Sequence, residues 1–365
     1  MKRPASINMA IVQQLIQAPH PGEALRRFRS WGSPILFESS SQRAHLGRYS
    51  FLTADPIRRI ELQRVSYGVD PLLELERELE KYRQVRIEGL PPFQGGAAGL
   101  LGFELGGAWE RLPRNGRDAF QLPDLAVGIY DWVLAWDHEL DRAWIIAQGL
   151  TEGMANEDAA QCRVENVREA LRGGEEGQES PAGLAVNPHD LLIVPTSIEG
   201  VYSDFSRREY LDRVQRVIDY IHAGDVFQVN LSQRLLSRAE DSSVDLYQRL
   251  RRINPAPFSG YFSWSGADAK EEWSIVSASP ERFMAVRGER SGDEADQGDP
   301  AAESASGGRL VREGRIAGER QGSGGEHDDR GFVAERSLAS LSARFDPRAA
   351  VLRRGDVPDR ATSGE

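Results

Sequence analysis

Several side chains in this 365-residue sequence could do chemistry, and their spacing limits what each could do. The glycine-rich run GGAAGLLG, at 95–102, has the composition of a phosphate loop but lacks the Gly-Lys-Ser/Thr ending, which favours a turn or tight packing. The six histidines have neither metal-ligand spacing nor a nearby cysteine. Ser203, Asp204 and His222 are too scattered to indicate a hydrolytic triad. Residue types and spacing alone therefore predict only a soluble α/β-type protein.

The second half of the sequence contains the clearest elements for positioning a site. Ser206 and Glu209 form a capping-box pattern, apolar residues follow at helical spacing, and Gly224 predicts the end of this helix. The sequence then predicts a strand over 225–237, a helix over 242–254 that Pro255 stops, and two paired strands on either side of a loop at 266–270.

The first half is predicted to be mainly strands and turns. Apolar residues at helical spacing predict one helix over 71–84. The apolar stretch 125–149 is predicted to be two strands joined by a turn near 137–141. Residues 171–192 have the composition of a linker, with Gly, Glu, Ser and Pro and no periodicity.

Charge and cysteine content exclude several classes of protein. The net charge is −11, and the 42 Arg and three Lys are interspersed with acids, so no nucleic-acid-binding patch is predicted. A single cysteine, Cys162, excludes a disulfide framework. No apolar run approaches eighteen residues, and no signal-peptide pattern opens the sequence. We expect a cytoplasmic protein that binds neither nucleic acid nor membrane.

Two longer strings allow a sharper interpretation. The strings AGDVFQVNLSQR, at 223–234, and SASPERF, at 277–283, resemble signatures of the chorismate-utilising enzymes, the family of anthranilate synthase component I. The resemblance runs from about residue 33 to residue 283. Within the family, AVGIYDW, NPAPFSGY and Asn230 resemble the aminodeoxychorismate synthase branch, because the anthranilate branch usually has an apolar residue where Asn230 lies.

The resemblance implies a fold and a reaction. The expected fold is α/β (α+β), with two antiparallel sheets packed as a sandwich and helices outside. The expected reaction replaces the C4 hydroxyl of chorismate with an amine, using ammonia from a glutamine amidotransferase subunit (component II), to give 4-amino-4-deoxychorismate for p-aminobenzoate and folate synthesis. Since hydroxide is a poor leaving group, the reaction needs a general acid and a metal, which is Mg²⁺ in this family.

The same resemblance assigns roles to particular positions. Glu281, in SPERF, matches the family's acid–base glutamate. A nucleophilic lysine is expected sixteen residues later, within Pro-Ile-Lys-Gly-Thr, but Gln297 occupies that position. Gly325 occupies the position of a Mg²⁺-ligating glutamate, so no metal ligand is expected to be retained.

The residues from 288 onward do not resemble the rest of the chain. Their 78 residues include eleven large aliphatic or aromatic side chains and thirteen Gly, while all seven Trp lie earlier. Such a composition buries too little apolar surface to offset the entropy of ordering, so a disordered tail is predicted.

A shifted reading frame explains this tail. Permitted codons for 292–299, read one nucleotide later, give Glu-Thr-Arg-Pro-Ile-Lys-Gly-Thr. In the same frame, 321–339 give Lys-Asp-Arg-Ala-Glu-Asn-Met-Met-Ile-Val-Asp-Leu-Leu-Arg-Asn-Asp-Leu-Ser-Arg, and 355–365 also become family-like. We therefore expect one net inserted nucleotide, or two lost, between about codons 282 and 292, and no synthase activity in the chain as written.

The resemblance also implies an effector site and four segments. Tryptophan binds the first domain in many family members. The positions that match the tryptophan site are Ser39, Leu46, Gly47, Arg48, Tyr49, Pro257, Phe258 and Ser259.

The four segments are an N-terminal domain at 1–170, the linker at 171–192, the start of the chorismate-binding domain at 193–287 and the out-of-frame tail at 288–365.

Two alternative functions remain open at this point. One is anthranilate synthase component I, against which Asn230 and the shifted lysine codon argue. The other is a non-catalytic fragment that binds tryptophan or the glutaminase subunit.

Overall fold

The computed structural model describes residues 10–41, 47–82, 86–114, 120–151, 154–173, 193–239, 241–265, 272–283 and 350–353. The helices are α1 Pro21–Arg27, α2 Leu73–Lys81, α3 Glu157–Arg172, α4 Arg207–Ala223 and α5 Ser243–Ile253, with a 3₁₀ helix at Phe103–Ala108. The strands are β1 Ile11–Leu15, β2 Ile35–Glu38, β3 Tyr49–Thr53, β4 Arg58–Leu62, β5 Gly96–Leu101, β6 Leu125–Tyr130, β7 Trp132–Asp137, β8 Arg142–Ala147, β9 Leu150–Thr151, β10 Met154–Ala155, β11 Val194–Pro195, β12 Val201–Ser203, β13 Leu235–Ser237, β14 Phe258–Ser265, β15 Glu272–Ser279 and β16 Ala350–Arg353.

An eight-stranded antiparallel sheet organises the fold. Its strand order is β1-β8-β7-β3-β2-β14-β15-β16, so strands from both halves of the chain lie side by side. Helices α1, α3 and α5 contribute to the main buried cluster on this sheet, which includes Leu25, Val164 and Tyr247. The first-half strand β2 pairs with β14 through Leu36 and Tyr261. The two halves are therefore parts of one sheet.

A second antiparallel sheet, β4-β6-β5, completes a sandwich. A separate buried cluster joins Ala98 and Ala126 of this sheet to Phe262 and Trp273 of the large sheet. Gly99 allows the close approach within the small sheet, because a Cβ on it would overlap the carbonyl oxygen of Ala126. The expected combination of antiparallel sheets and outer helices is confirmed, and GGAAGLLG is a closely packed strand.

The apolar stretch 125–149 contains three strands, and the prediction of two is wrong. Asp131 separates two of these strands: β6 ends before it in the small sheet, and β7 begins after it in the large sheet. Only β7 and β8 form the predicted hairpin. Every residue of β6 and β7 is buried, so the sequence shows one continuous apolar run with no alternation to mark the crossing.

The second half begins with an element that has little packing. Helix α4 has the predicted capping box between Ser206 and Glu209, and Gly224 ends it in the left-handed region at φ 79°. None of its residues is buried. The predicted strand 225–237 is wrong for most of its length, since only Leu235–Ser237 form β13, at the edge of the sheet β11-β12-β13.

Of the residues after 283, the structure describes only β16. Its backbone pairs with β15, with Ala350 opposite Val276 and Arg353 opposite Trp273. These four residues form the edge strand of the large sheet. Within the described parts of the chain, no helix is both long and apolar enough to span a membrane.

Candidate functional site

The predicted effector residues meet at the end of the large sheet where β2, β3 and β14 lie together. The hydroxyl of Ser39 is hydrogen-bonded to the carbonyl oxygens of Tyr49, at 2.9 Å, and Pro257, at 3.1 Å. Its backbone N–H donates to the Ser50 hydroxyl at 3.1 Å. Ser39 therefore joins Pro257, in the turn before β14, to Tyr49 and Ser50 of β3.

A second serine, which sequence reasoning did not single out, extends this group. The Ser40 hydroxyl lies 2.8 Å from the Ser259 hydroxyl and accepts from the backbone N–H of Ala256 at 2.9 Å. The Ser259 hydroxyl also donates to the Ala256 carbonyl at 3.1 Å. We call Ser39, Ser40, Ala256, Pro257 and Ser259 the serine cluster. It holds the turn before β14 against the end of β2.

Gly47 borders the serine cluster at Ser39, and Arg48 leads from it into β3. Gly47 adopts φ 95°, and a Cβ there would lie 3.0 Å from the Ser39 Cβ, so both backbone conformation and space require glycine. Arg48 donates to Asp137 through Nη2, at 2.7 Å, and lies 5.0 Å over the Tyr49 ring. Its hydrogen bond to Asp137 raises the pKa of Arg48. Leu46 lies outside the described residues.

A buried carboxylate beside the serine cluster was not predicted. Glu38 is 2 % exposed and accepts from the Tyr247 hydroxyl at 2.7 Å and from Arg251 Nη2 at 2.7 Å. Burial, followed by the charge of Glu38, raises the pKa of Tyr247 well above its ordinary value. The network therefore joins β2 to α5. Glu38 lies more than 200 residues before Tyr247 and Arg251 in the sequence, so no local pattern could have indicated this network.

A histidine contacts Ser50, which lies next to the serine cluster. His138 Nε2 lies 2.7 Å from the Ser50 hydroxyl, and that hydroxyl also receives the Ser39 N–H. Burial lowers the pKa of His138, against the opposing charge of Glu38. The neutral imidazole is therefore favoured at this position.

The predicted acid–base residue lies just beyond β15. Glu281 is exposed, and its backbone carbonyl accepts from the Ser279 hydroxyl at 2.9 Å. Ser279 pairs with Phe258 in the sheet, and the guanidinium of Arg282 lies 5.0 Å from the centre of the Phe258 ring. Glu281 thus follows the strand end nearest the serine cluster. Gln297 and Gly325 lie outside the described residues.

The acidic side chains that the structure describes do not form a metal centre. No group of three His, Cys, Asp or Glu residues among them is arranged to hold a metal ion. These residues therefore do not fit Mg²⁺.

The sequence of this chain is similar to those of several known proteins. A family profile described as chorismate binding enzyme matches residues 32–292. Aminodeoxychorismate synthase component 1 of Escherichia coli is 32% identical over 224 residues, covering 61% of this chain and 42% of that protein. Anthranilate synthase component 1 of Thermus thermophilus is 33% identical over 245 residues, covering 67% and 47% respectively. The chain thus spans about half the length of these relatives or less.

A solved structure is also similar. Anthranilate synthase component I from Streptococcus pneumoniae superposes with a TM-score of 0.48 at 23% identity, covering 64% of this chain and 50% of that one.

Proposed function

This chain belongs to the family of chorismate binding enzymes, and from that premise we propose that its gene specifies an aminodeoxychorismate synthase component I. The observation that carries the proposal is the family match over 32–292, together with aminodeoxychorismate synthase relatives at 30–32% identity. The substrate is chorismate, and the product is 4-amino-4-deoxychorismate. Asn230, within the matched region, favours this branch.

Glu281 is proposed as the acid–base residue. Loss of the C4 hydroxyl requires a proton donor. Glu281 follows the end of β15 that pairs with Phe258, next to the serine cluster. In an active enzyme, Glu281→Gln should lower kcat by about 10²–10⁴-fold. Glu272→Gln, at the opposite end of β15, is the matched control and should leave kcat unchanged. Equal losses in both variants would contradict the assignment.

The chain as written is proposed to be inactive because its reading frame changes between about codons 282 and 292. The family match ends at residue 292, within that interval, which supports the proposal. Gln297 carries an amide where a lysine amine is expected, and an amide cannot act as an amine nucleophile. Resequencing the DNA across codons 275–300 tests this directly. A sequence in which the shifted frame fails to encode Pro-Ile-Lys-Gly-Thr would refute it.

Partners and cofactor follow from the same proposal. A glutamine amidotransferase subunit would supply ammonia, and Mg²⁺ would be held by side chains that the shifted frame encodes. Both would act in the cytoplasm. A frame-restored chain, made by deleting one nucleotide between codons 282 and 292, should form product from chorismate and ammonium with Mg²⁺ alone, and from glutamine only when the partner is added.

Anthranilate synthase component I is the second candidate, favoured by the Thermus thermophilus relative at 33% identity. Mass spectrometry of the product made by the frame-restored chain separates the two. Aminodeoxychorismate is expected, and anthranilate formed without an added lyase would exclude that branch.

A third candidate is a non-catalytic fragment that binds tryptophan or the glutaminase subunit. The observation that favours it is the convergence of Ser39, Tyr49 and Pro257 on one hydrogen-bonded group. Tryptophan titration of the 365-residue chain by calorimetry tests it, with Ser40→Ala as a cluster variant. Absence of binding heat at millimolar tryptophan would exclude a tryptophan-binding role.

A further inference from the structure

A cavity of about 540 Å³ lies between helix α3 and the loop before β2, and the proposed function does not use it. Pockets that hold small organic molecules have volumes in this range. Two of its lining residues, Gly32 and Asp55, lie before β2 and after β3. Ser39 of the serine cluster lies at the other end of β2, so the two sites are at opposite ends of this strand pair. We call this site the α3 cavity.

The basic side chain that lines the α3 cavity is already neutralised. Arg163 Nη1 donates to Asp55 Oδ2 at 3.0 Å, and Arg163 Nε lies 3.4 Å from Asp131 Oδ1. Asp131 is only 4% exposed, and its Oδ1 makes no hydrogen bond within the described part of the chain. The lining itself carries two carboxylates, those of Asp55 and Glu169, against one guanidinium. The cavity therefore has an excess of negative charge and does not attract an anion.

The remaining polar atoms of the lining are mainly hydrogen-bond acceptors. The exposed Glu169 carboxylate forms no hydrogen bond or ion pair with any residue that the structure describes. Asp55 uses Oδ2 for Arg163, which leaves its Oδ1 available. Asn166 directs Nδ2 at Cys162 Sγ, at 3.7 Å, which leaves its side-chain carbonyl as an acceptor. Oxygens of this kind complement a charged ligand that donates several N–H groups.

Trp31 gives the α3 cavity an aromatic wall. The ring packs edge-to-face against Phe28 and Trp132, with 4.9 Å and 5.5 Å between ring centroids, so the core fixes its position. The indole is partly buried and lines the cavity. Among aromatic side chains, an indole attracts ammonium and guanidinium groups most strongly. The wall can therefore contact both the charge and the apolar body of an organic cation.

The backbone fixes Asp55 in the cavity wall. Asp55 adopts the left-handed region at φ 57°, and its backbone N–H donates to the Gly32 carbonyl at 2.5 Å. Asparagine and aspartate adopt this conformation more readily than other non-glycine residues. Asp55→Asn therefore removes the charge while it keeps a residue that suits the backbone.

We propose that the α3 cavity binds a small organic cation that carries a primary ammonium or guanidinium group on an apolar body. The charged group donates to Glu169, Asp55 and Asn166, and the apolar body lies against Trp31. A metal ion is not the expected ligand, because the described acidic residues include no group of three that could hold one. The inference depends neither on the reading frame nor on the synthase branch, since every lining residue lies between 30 and 170.

Fluorine NMR of the 365-residue chain, labelled with 5-fluorotryptophan, tests the proposal. Trp31→Phe identifies the Trp31 resonance among those of the seven tryptophans. The probe is benzylamine, a cation at pH 7, and benzyl alcohol and benzoate are its neutral and anionic counterparts. Glu169→Gln removes a carboxylate from the cavity, and Glu165→Gln removes one from the same helix outside the lining as the matched control. The other tryptophan resonances report whether each variant is folded.

The expected result depends on the charge of both probe and protein. Benzylamine should shift the Trp31 resonance with saturation, and Glu169→Gln and Asp55→Asn should each raise the apparent Kd about fivefold, while Glu165→Gln leaves it unchanged. Benzyl alcohol should bind more weakly than benzylamine, and benzoate should give no saturable shift. A benzylamine shift that does not saturate would overturn the proposal. Equal affinity for benzyl alcohol, or equal effects of the changes at 169 and 165, would also overturn it, because the carboxylates would then not recognise the ligand.

Discussion

Strand β7 and helix α4 lie in opposite environments. All six residues of β7 are buried between β3 and β8, and three of them pack in the cluster that includes α1, α3 and α5, whereas α4 buries none of its seventeen. The caps and periodicity of α4 are therefore enough to specify a helix but do not bury it. Burial depends on which elements pack against it.

The largest expected effect in this comparison is at Trp132 in β7. The side chain is fully buried, and its Nε1 donates to the Ala54 carbonyl at 2.8 Å. Trp132→Ala should lower the free energy of unfolding by about 3–5 kcal/mol, because it leaves a large cavity and an unpaired carbonyl. Urea unfolding followed by circular dichroism measures this. Trp109→Ala, at a 52% exposed position, is the control, and equal losses would contradict the packing described here.

The buried network at Glu38 should give the next largest effect. Glu38→Gln removes the carboxylate charge that accepts hydrogen bonds from Arg251 and Tyr247. The free energy of unfolding should therefore fall by roughly 2–3 kcal/mol. Glu139→Gln removes an exposed carboxylate facing Arg48 and should cost only about 0–1 kcal/mol. If Glu38→Gln were no worse than Glu139→Gln, the network would not be what attaches α5 to β2.

A smaller effect is expected from pH. The folded state lowers the pKa of His138 below 6.5, so the unfolded chain binds more protons as pH falls through that value. This contribution to stability is complete above pH 6.5 and is lost as pH falls toward the folded-state pKa. Urea unfolding at pH 7.5 and 5.5 should show a smaller difference in His138→Gln than in the unsubstituted chain.

The smallest effect is expected on α4 itself. Leu211→Ala in the chain as written should change the free energy of unfolding by no more than about 0.5 kcal/mol, since the side chain is 46% exposed. A large loss in the chain as written would mean that α4 already has a partner.

Local patterns identified the elements whose boundaries depend on nearby residues. The capping box at Ser206 and the glycine at 224 placed α4 within one residue, and Pro255 placed the end of α5. The paired strands β14 and β15 were also predicted, although their loop lies outside the described residues. These signals act over a few residues and need no tertiary information.

Signals that depend on distant residues were missed or misassigned. Sequence reasoning did not predict α3, and it placed the start of the linker at 171, one residue before α3 ends. The crossing between the two sheets at Asp131 depends on which sheet each strand joins, and the role of Ser40 depends on the turn that packs against it. A short stretch of sequence contains neither piece of information. The strand prediction at 225–237 failed because strands form only where a partner strand is available.

The sequence by itself determined the family of this protein, the position of Glu281 and the change of character after residue 288, because these depend on the order and identity of residues along the chain. The tertiary structure alone decided that Ser39 and Pro257 lie in one cluster, that Glu38 is buried against α5, and that α4 has no fully buried residue. Burial and pairing are properties of the partners that folding brings together, and one segment of sequence does not contain them.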